Sequence, residues 1–222
     1  MIAEASSSKS PRILSSNGFS RSSISILHQQ MRCTNLAWAL KFTGRIKAGD
    51  VIGVVGGSFS GLMLASTLAM CNDVIVYIFE KERRLMQRFL DKSHRFIAPN
   101  LNSRSLGKAF HPTFGGQFYD PPLFKWKEDA ASTVAVDWRN EFKALVAKLP
   151  VFCFLEREVT AQHIKATKRL VTIQFDPLEN GMSPRPIKLD WLIDATGFGP
   201  ESNPFKLDDY SYWESGHRLI YD

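Results

Sequence analysis

A glycine-rich turn at residues 56–61, with the sequence GGSFSG, carries the groups best suited to hold a phosphate. Glycines let the backbone bend sharply and approach a ligand, and a helix that follows them offers unpaired N–H groups and the positive end of its dipole. The turn departs from G-x-G-x-x-G at one position, because Ser58 stands where the middle glycine is usual. Ser58 is small, and its hydroxyl can itself bond a phosphate. The spacing therefore predicts a turn that binds a dinucleotide pyrophosphate.

A carboxylate follows the next apolar run at a spacing that suits such a site. Glu80 comes directly after residues 73–79 (DVIVYIF), 24 positions after Gly56. An acid at this place binds the two hydroxyls of a ribose and repels a 2′-phosphate, so it favours FAD or NAD over NADP. Lys81, its neighbour, is a further candidate for cofactor contact. The alternative is a glycine-rich turn in an unrelated α/β protein, with Glu80 merely solvated.

These residues need a strand, a helix and a second strand to position them. Residues 51–55 (VIGVV) are rich in β-branched side chains and predict the first strand, and residues 62–71 predict the helix. Ala65 and Ala69 are small enough for that helix to pack closely on a sheet. Residues 73–79 predict the second strand, which completes a βαβ unit.

The second half of the chain predicts a helix, a meander and a last strand. A helix is expected from about Asp137 to residue 149, and residues 81–91 predict a shorter helix earlier in the chain. The expected strands are 151–155, then a hairpin-rich meander at 159–164, 170–175 and 187–189, and finally 191–195. The last of these leads into Ala195-Thr196-Gly197.

A long irregular stretch, residues 93–127, separates the two halves and is rich in Pro, Gly and aromatic residues. Loops of this length inside a domain are usually functional. His94 and His111 lie in it and are the candidate catalytic residues, because imidazole can exchange a proton near neutral pH. The loop could equally dock on a second domain through its aromatic side chains, and the sequence leaves both possibilities open.

Composition excludes several classes of function. The chain has 44% hydrophobic and 23% charged residues, as in globular proteins, and no apolar run approaches a membrane span. Its net charge is +6, but residues 1–50 hold seven basic residues against two acids, so we expect no nucleic-acid binding by the folded body. The three cysteines are isolated, which argues against a disulfide framework or a metal site and fits a reducing cytoplasm.

The order of these features resembles the FAD-binding half of flavoproteins with two dinucleotide-binding domains. This glutathione-reductase-like superfamily includes the flavin monooxygenases, and residues 27–61 also resemble bacterial FAD/NAD(P)-binding oxidoreductases. The resemblance covers about residues 48–200 and depends on the glycine turn, the acid after the second strand, the meander and the strand that ends in Ala195-Thr196-Gly197. It implies an α/β fold: a Rossmann-like FAD/NAD(P)-binding domain, with a mostly parallel sheet, helices and a β-meander crossover.

The resemblance also implies which residues touch the cofactor. Residues at the pyrophosphate would come from the turn, and Glu80 would hold the adenosine ribose. Val159 would contact adenine through its backbone, and Ala195, Thr196 and Gly197 would lie along the phosphate or ribityl region. The full set of candidate cofactor contacts is Gly56, Gly57, Ser58, Phe59, Ser60, Gly61, Glu80, Lys81, Val159, Ala195, Thr196 and Gly197.

Four segments are expected along the chain. These are a disordered Ser-rich tail (1–23), a leading helix (24–47), the FAD/NAD(P)-binding domain (48–200) and a C-terminal extension (201–222). The Ser- and Arg-rich start also resembles an organelle transit peptide. No second glycine motif is present and the sequence ends soon after Gly197, so we expect either a fragment of a longer flavoenzyme or a shortened protein.

Three functions remain open from the sequence. The first is an FAD-dependent oxidoreductase that NAD(P)H reduces, acting on an unidentified small molecule, as a homo-oligomer or with a missing second domain. The second is a dinucleotide-binding or regulatory module without catalysis. The third is a single-domain NAD-dependent dehydrogenase, which the meander and the Ala195-Thr196-Gly197 ending disfavour.

Overall fold

The computed structural model describes residues 6–7, 10–15, 26–97, 129–177 and 183–196. The strands are β1 (Ser6–Ser7), β2 (Ser10–Ser15), β3 (Val51–Val55), β4 (Ile75–Phe79), β5 (Phe96–Ile97), β6 (Asp129–Ala130), β7 (Val151–Phe154), β8 (Ile164–Ala166), β9 (Val171–Ile173), β10 (Ile187–Leu189) and β11 (Trp191–Asp194). The helices are α1 (Ile26–Phe42), α2 (Phe59–Asn72), α3 (Gln87–Leu90) and α4 (Ala131–Val146), with a 3-10 turn at Ala161–His163.

A six-stranded sheet forms the centre of the structure, in the order β1-β2-β11-β3-β4-β7. Within this sheet, β2, β11, β3, β4 and β7 are all parallel to one another, and only β1 pairs in the antiparallel direction. The chain runs outward from β3 through β4 to β7 and then returns to β11 on the other side of β3. The predicted α/β Rossmann-like fold is thereby confirmed, and its strand order reverses between β3 and β11.

Register brings the ends of the parallel strands into one row. Asp194 lies beside both Ser15 and Val55, Val55 lies beside Phe79, and Phe79 lies beside Phe154. The residues that follow these strands therefore share one edge of the sheet. In sheets of this kind, ligands bind outside the carboxyl ends of the strands, where the strand order reverses.

The sheet separates two hydrophobic layers. On one face α1, α2 and α4 bury a core that includes the side chains of Ile52, Val54 and Trp138. On the other face the antiparallel meander β8–β9–β10 covers Phe79 and Leu192. Successive side chains of a strand point to opposite faces, and both faces of this sheet are buried. The sequences of β3 and β4 are therefore apolar almost throughout.

The prediction of a disordered tail over residues 1–23 is wrong for Ser10–Ser15. These residues form β2, which pairs in parallel with β11, and the Leu14 side chain is fully buried on the helix side of the sheet. Two residues earlier on this strand, the guanidinium of Arg12 lies 4.4 Å from the ring centroid of Trp191, which belongs to the same core as Leu14. Polar composition hid this strand, because only two adjacent apolar residues carry it.

Two further local predictions differ from the structure. Only Gln87–Leu90 is helical within residues 81–91, because Met86 has a left-handed backbone (φ 65°) and its N–H donates to the carbonyl of Gly57. The predicted strand at 159–164 is instead an extended entry followed by the 3-10 turn. There the Nδ1 atom of His163 accepts the backbone N–H of Thr160 at 3.1 Å.

The helix predicted from Asp137 begins earlier, at Ala131, and the other strands of the meander lie where the sequence placed them. No helix among the described residues has both the length and the apolar character needed to cross a bilayer.

Candidate functional site

Gly56 lies at the point where the strand order reverses, and no other residue type fits there without strain. Its φ is +105°, in the region that glycine adopts freely, and its N–H donates to the carbonyl of Phe79 at 2.8 Å. A Cβ on Gly56 would lie 2.8 Å from the carbonyl oxygen of Ala195. The two sequence motifs that carried the resemblance therefore touch each other at the sheet edge.

Gly61 brings the first turn of α2 directly against the strand that precedes it. A Cβ on Gly61 would overlap the carbonyl oxygen of Gly56. Only glycine permits this approach, which is the role of the third glycine in such turns. The start of α2 is thus held close to the end of β3.

The carboxylate of Glu80 is hydrogen-bonded to the glycine turn. Oε2 accepts the N–H of Gly57 at 2.6 Å, and Oε1 accepts the N–H of Glu82 at 2.9 Å. The Glu80 residue is 9% exposed. The side chain of Leu85 closes the same space, since a Cβ on Gly57 would lie 2.6 Å from its Cδ2 atom.

The N–H groups of Gly56 and Gly57 are consequently used within the protein, by Phe79 and Glu80. The donors left for a phosphate are those of the first turn of α2, because the first N–H groups of a helix have no intrahelical partner. Ser58 precedes this turn in an extended conformation and its side chain makes no capping hydrogen bond. A ligand anion would therefore meet the positive end of the α2 dipole beside the Ser58 hydroxyl.

Phe59 and Ser60 contribute to this turn through their backbones only. The Phe59 ring is buried between Phe89 and Trp138, at centroid distances of 4.8 and 4.7 Å. The Ser60 hydroxyl donates to the Gln29 side chain at 2.7 Å, which points it towards α1.

The expected ribose and adenine contacts are brought together at the other side of Glu80. The N–H of Arg157 donates to the carbonyl of Glu80 at 2.9 Å, so the start of the meander connection runs beside this residue. Lys81 forms an ion pair with Glu158 at 3.8 Å. Val159 follows directly and is partly buried on the meander side.

The end of β11 closes the site on the opposite side. Ala195 is buried, and its N–H donates to the carbonyl of Val55 at 2.8 Å. Thr196 is exposed, and its N–H and hydroxyl both donate to Oδ1 of Asp194, at 3.0 and 2.7 Å. Gly197 lies outside the described residues.

The two candidate catalytic histidines are not brought to this edge. His94 is exposed on the turn between α3 and β5, with no hydrogen bond or ion pair in the part of the chain that the structure describes. His111 lies outside the described residues. Within the described ranges, no three His, Cys, Asp or Glu side chains are grouped to hold a metal ion.

Two residues at the site were missed by the sequence analysis. Gln29 reaches the turn from α1, whose apolar spacing gave no sign of a polar contact with Ser60. The sequence predicts Asp194 only as a residue of the last strand. Its place at the sheet edge follows from the pairing of β11 with β3, which a single sequence does not reveal.

No protein-family model and no curated protein matches this sequence. Among solved structures it is similar to the lysine monooxygenase NbtG from Nocardia farcinica, described with an NADPH domain (12% identity, 83% of this chain and 39% of that one, TM-score 0.41). It is also similar to the cadaverine monooxygenase DfoA from Erwinia amylovora bound to FAD (14% identity, 77% and 42%, TM-score 0.38).

A third similar structure is the L-lysine 6-monooxygenase from Pseudomonas syringae (13% identity, 75% of this chain and 39% of that one, TM-score 0.41). The chain thus spans about two fifths of the length of these solved structures.

Proposed function

We propose that this chain binds FAD at the carboxyl edge of its sheet, as the FAD-binding part of an oxidoreductase that NAD(P)H reduces. The observation that carries the proposal is the packing of Gly56, which touches the end of β11 and the start of α2 at once. This arrangement places a tight strand-to-helix turn at the point where the strand order reverses, with the unpaired N–H groups of the first turn of α2 beside it. Turns of this kind bind the pyrophosphate of a dinucleotide.

The described residues fit the pyrophosphate and the ribose of such a cofactor. The N–H groups at the start of α2 and the Ser58 hydroxyl would hold the pyrophosphate. The Glu80 carboxylate accepts two backbone N–H groups, and a carboxylate has about four acceptor positions, so acceptor capacity remains for ribose hydroxyls. The bound flavin would supply hydride-transfer or oxygen chemistry, while the protein binds and orients it.

The meander supports FAD over NAD as the ligand. A simple βαβαβ dehydrogenase joins its parallel strands through helices. Here β7 is joined to β11 through three antiparallel strands, β8, β9 and β10, that cover one face of the sheet. This is the connection that the resemblance to FAD-binding halves predicts.

A pair of substitutions at Ser58 tests the site without disturbing the glycines. Asp and Asn are both good N-cap residues, and both fit the extended backbone at this position. Ser58→Asp adds a negative charge where the pyrophosphate would lie, and we expect it to weaken FAD binding about tenfold or more. Ser58→Asn is the matched neutral control and should retain binding.

The measurement is flavin absorbance at about 450 nm after incubation with FAD and gel filtration. Equal FAD uptake by Ser58→Asp and Ser58→Asn would contradict the proposed site. Binding of NAD without uptake of FAD would instead favour the dehydrogenase. If FAD binds but NADPH and NADH do not bleach it, the chain acts as a binding module without its own reductase activity.

A further inference from the structure

A cleft opens between the sheet and the meander, away from the glycine turn. Its volume is about 470 Å³, which falls within the range of small-molecule sites. Tyr77 on β4 and Phe154 on β7 line it from the sheet, and Phe175, which follows β9, lines it from the meander. The cleft therefore lies on the sheet face opposite α1, α2 and α4.

Aromatic rings give this cleft an apolar lining. The Tyr77 and Phe154 rings meet edge to face with centroids 5.3 Å apart. Phe79 lies behind them, stacked on Phe154 and 5.9 Å from Phe175. The ring of an aromatic ligand can stack against such walls, since offset and edge contacts between aromatic rings are favourable.

Charge at the cleft has one sign. Arg157, Arg185 and Lys188 line it, and no acidic residue does. In the part of the chain that the structure describes, none of the three forms an ion pair. The Arg157 guanidinium lies 5.7 Å from the Phe175 ring centroid, so a cation stands directly above an aromatic wall.

We propose that this cleft binds a small aromatic carboxylate, with its ring between Phe154 and Phe175 and its anion on Arg157. Arginine presents two parallel N–H donors that match a carboxylate, and Arg185 and Lys188 add attraction from the rim. Because Arg185 and Lys188 are exposed, their share of the affinity is smaller and falls with salt.

The cleft is separate from the proposed FAD site but close to one end of it. The N–H of Arg157 donates to the carbonyl of Glu80, whereas the Arg157 side chain lines the cleft. Tyr77 lies two residues before the end of β4 and Phe154 lies in the row of strand ends, but no residue of the glycine turn lines the cleft. This proposal therefore stands whether or not the chain binds FAD.

The test uses 1-naphthoate as the probe and 1-naphthylmethanol as its neutral counterpart, with binding measured by isothermal titration calorimetry. We expect naphthoate to bind at one site and the alcohol to bind about tenfold more weakly or not at all. Arg157→Gln should weaken naphthoate binding about tenfold. The matched control is Arg169→Gln, which changes an exposed arginine of the same meander outside the cleft.

Thermal melting shows whether each variant is folded. If Arg157→Gln is unfolded, the double variant Arg185→Gln/Lys188→Gln provides the second test, with an expected loss of about two- to fivefold. Equal binding of acid and alcohol, or equal effects of Arg157→Gln and Arg169→Gln, would overturn the proposal. Displacement of naphthoate by ADP would also overturn it, because the cleft would then belong to the adenosine end of the cofactor site.

Discussion

The backbone N–H of Gly57, which follows β3, donates to the Oε2 atom of Glu80, which follows β4, at 2.6 Å. Charge-assisted hydrogen bonds are shorter and stronger than neutral ones. The acid that would hold the ribose therefore also fixes the turn that would hold the pyrophosphate. A site arranged in this way before the ligand arrives loses less conformational entropy on binding.

Replacing this carboxylate should destabilise the fold as well as the site. In Glu80→Gln one end of the amide must present N–H atoms to the N–H of Gly57 or Glu82. We expect the free energy of unfolding to fall by about 1–3 kcal/mol, measured by urea denaturation. Glu158→Gln is the control, because that exposed residue is only part of a surface ion pair, and its change should stay within about 0.5 kcal/mol.

The same variant tests the charge of the ribose site. The wild-type protein should bind ADP more tightly than its 2′-phosphorylated form, because Glu80 repels the extra phosphate. Glu80→Gln should narrow that difference. An unchanged preference, measured by calorimetry with both nucleotides, would show that Glu80 does not face the ribose.

Gly61→Ala has two opposing effects on stability, a gain in helix propensity and a loss in packing. Alanine in a helix is favoured over glycine by about 1 kcal/mol. At this position, however, the new Cβ would overlap the carbonyl oxygen of Gly56, which belongs to backbone and has little room to move. Overpacking of this kind costs about 1–3 kcal/mol, so we expect a net loss of stability and of FAD uptake.

Gly53→Ala is the matched control for this prediction. Its Cβ would lie 2.6 and 2.9 Å from terminal methyl groups of Leu189 and Leu192, which can rotate, and 3.2 Å from the ring of Phe79, whereas at Gly61 it would meet backbone. We expect a smaller loss of stability and no specific loss of FAD uptake. A stabilised Gly61→Ala protein would contradict the close contact between α2 and β3.

Leu14 tests the N-terminal strand that the sequence did not predict. Its side chain is fully buried, so Leu14→Ala should lower the free energy of unfolding by about 2–5 kcal/mol. Val136→Ala, at an exposed position of α4, should change it by less than about 0.5 kcal/mol. Equal effects of the two substitutions in chemical denaturation would mean that β2 does not pack on the sheet.

The sequence predicted the parts of the site that local patterns encode. The apolar run at Val51–Val55, the glycines after it and Glu80 lie close together in the chain, so their spacing alone predicts a strand, a turn and an acid. Ala195 was located through a family resemblance, and the structure then placed its carbonyl against Gly56.

The remaining features depend on partners distant in sequence. Ser10–Ser15 becomes a strand only because β11 lies beside it, and nothing in its polar composition reveals that neighbour. Residues 81–86 have the composition of a helix, yet the N–H of Glu82 is taken by Glu80 and that of Met86 by Gly57. Tertiary hydrogen bonds therefore outweigh local helix propensity in this segment.

Helix α1 supports the turn through the hydrogen bond from Ser60 to Gln29, and a double-mutant cycle can measure it. We expect Gln29→Ala and Ser60→Ala each to lower the free energy of unfolding by about 1 kcal/mol. The double variant should lose less stability than the sum of the two single variants, because either change alone removes the bond.

FAD affinity should fall in both single variants, because the first turn of α2 loses a contact that fixes it. Thr34→Ala is the control partner in the cycle. Its hydroxyl donates to the Gln30 carbonyl within α1, and among the described residues it makes no hydrogen bond to Ser60, so its effect should add to that of Ser60→Ala. Additive effects of Gln29→Ala and Ser60→Ala would show that α1 does not hold the turn through this pair.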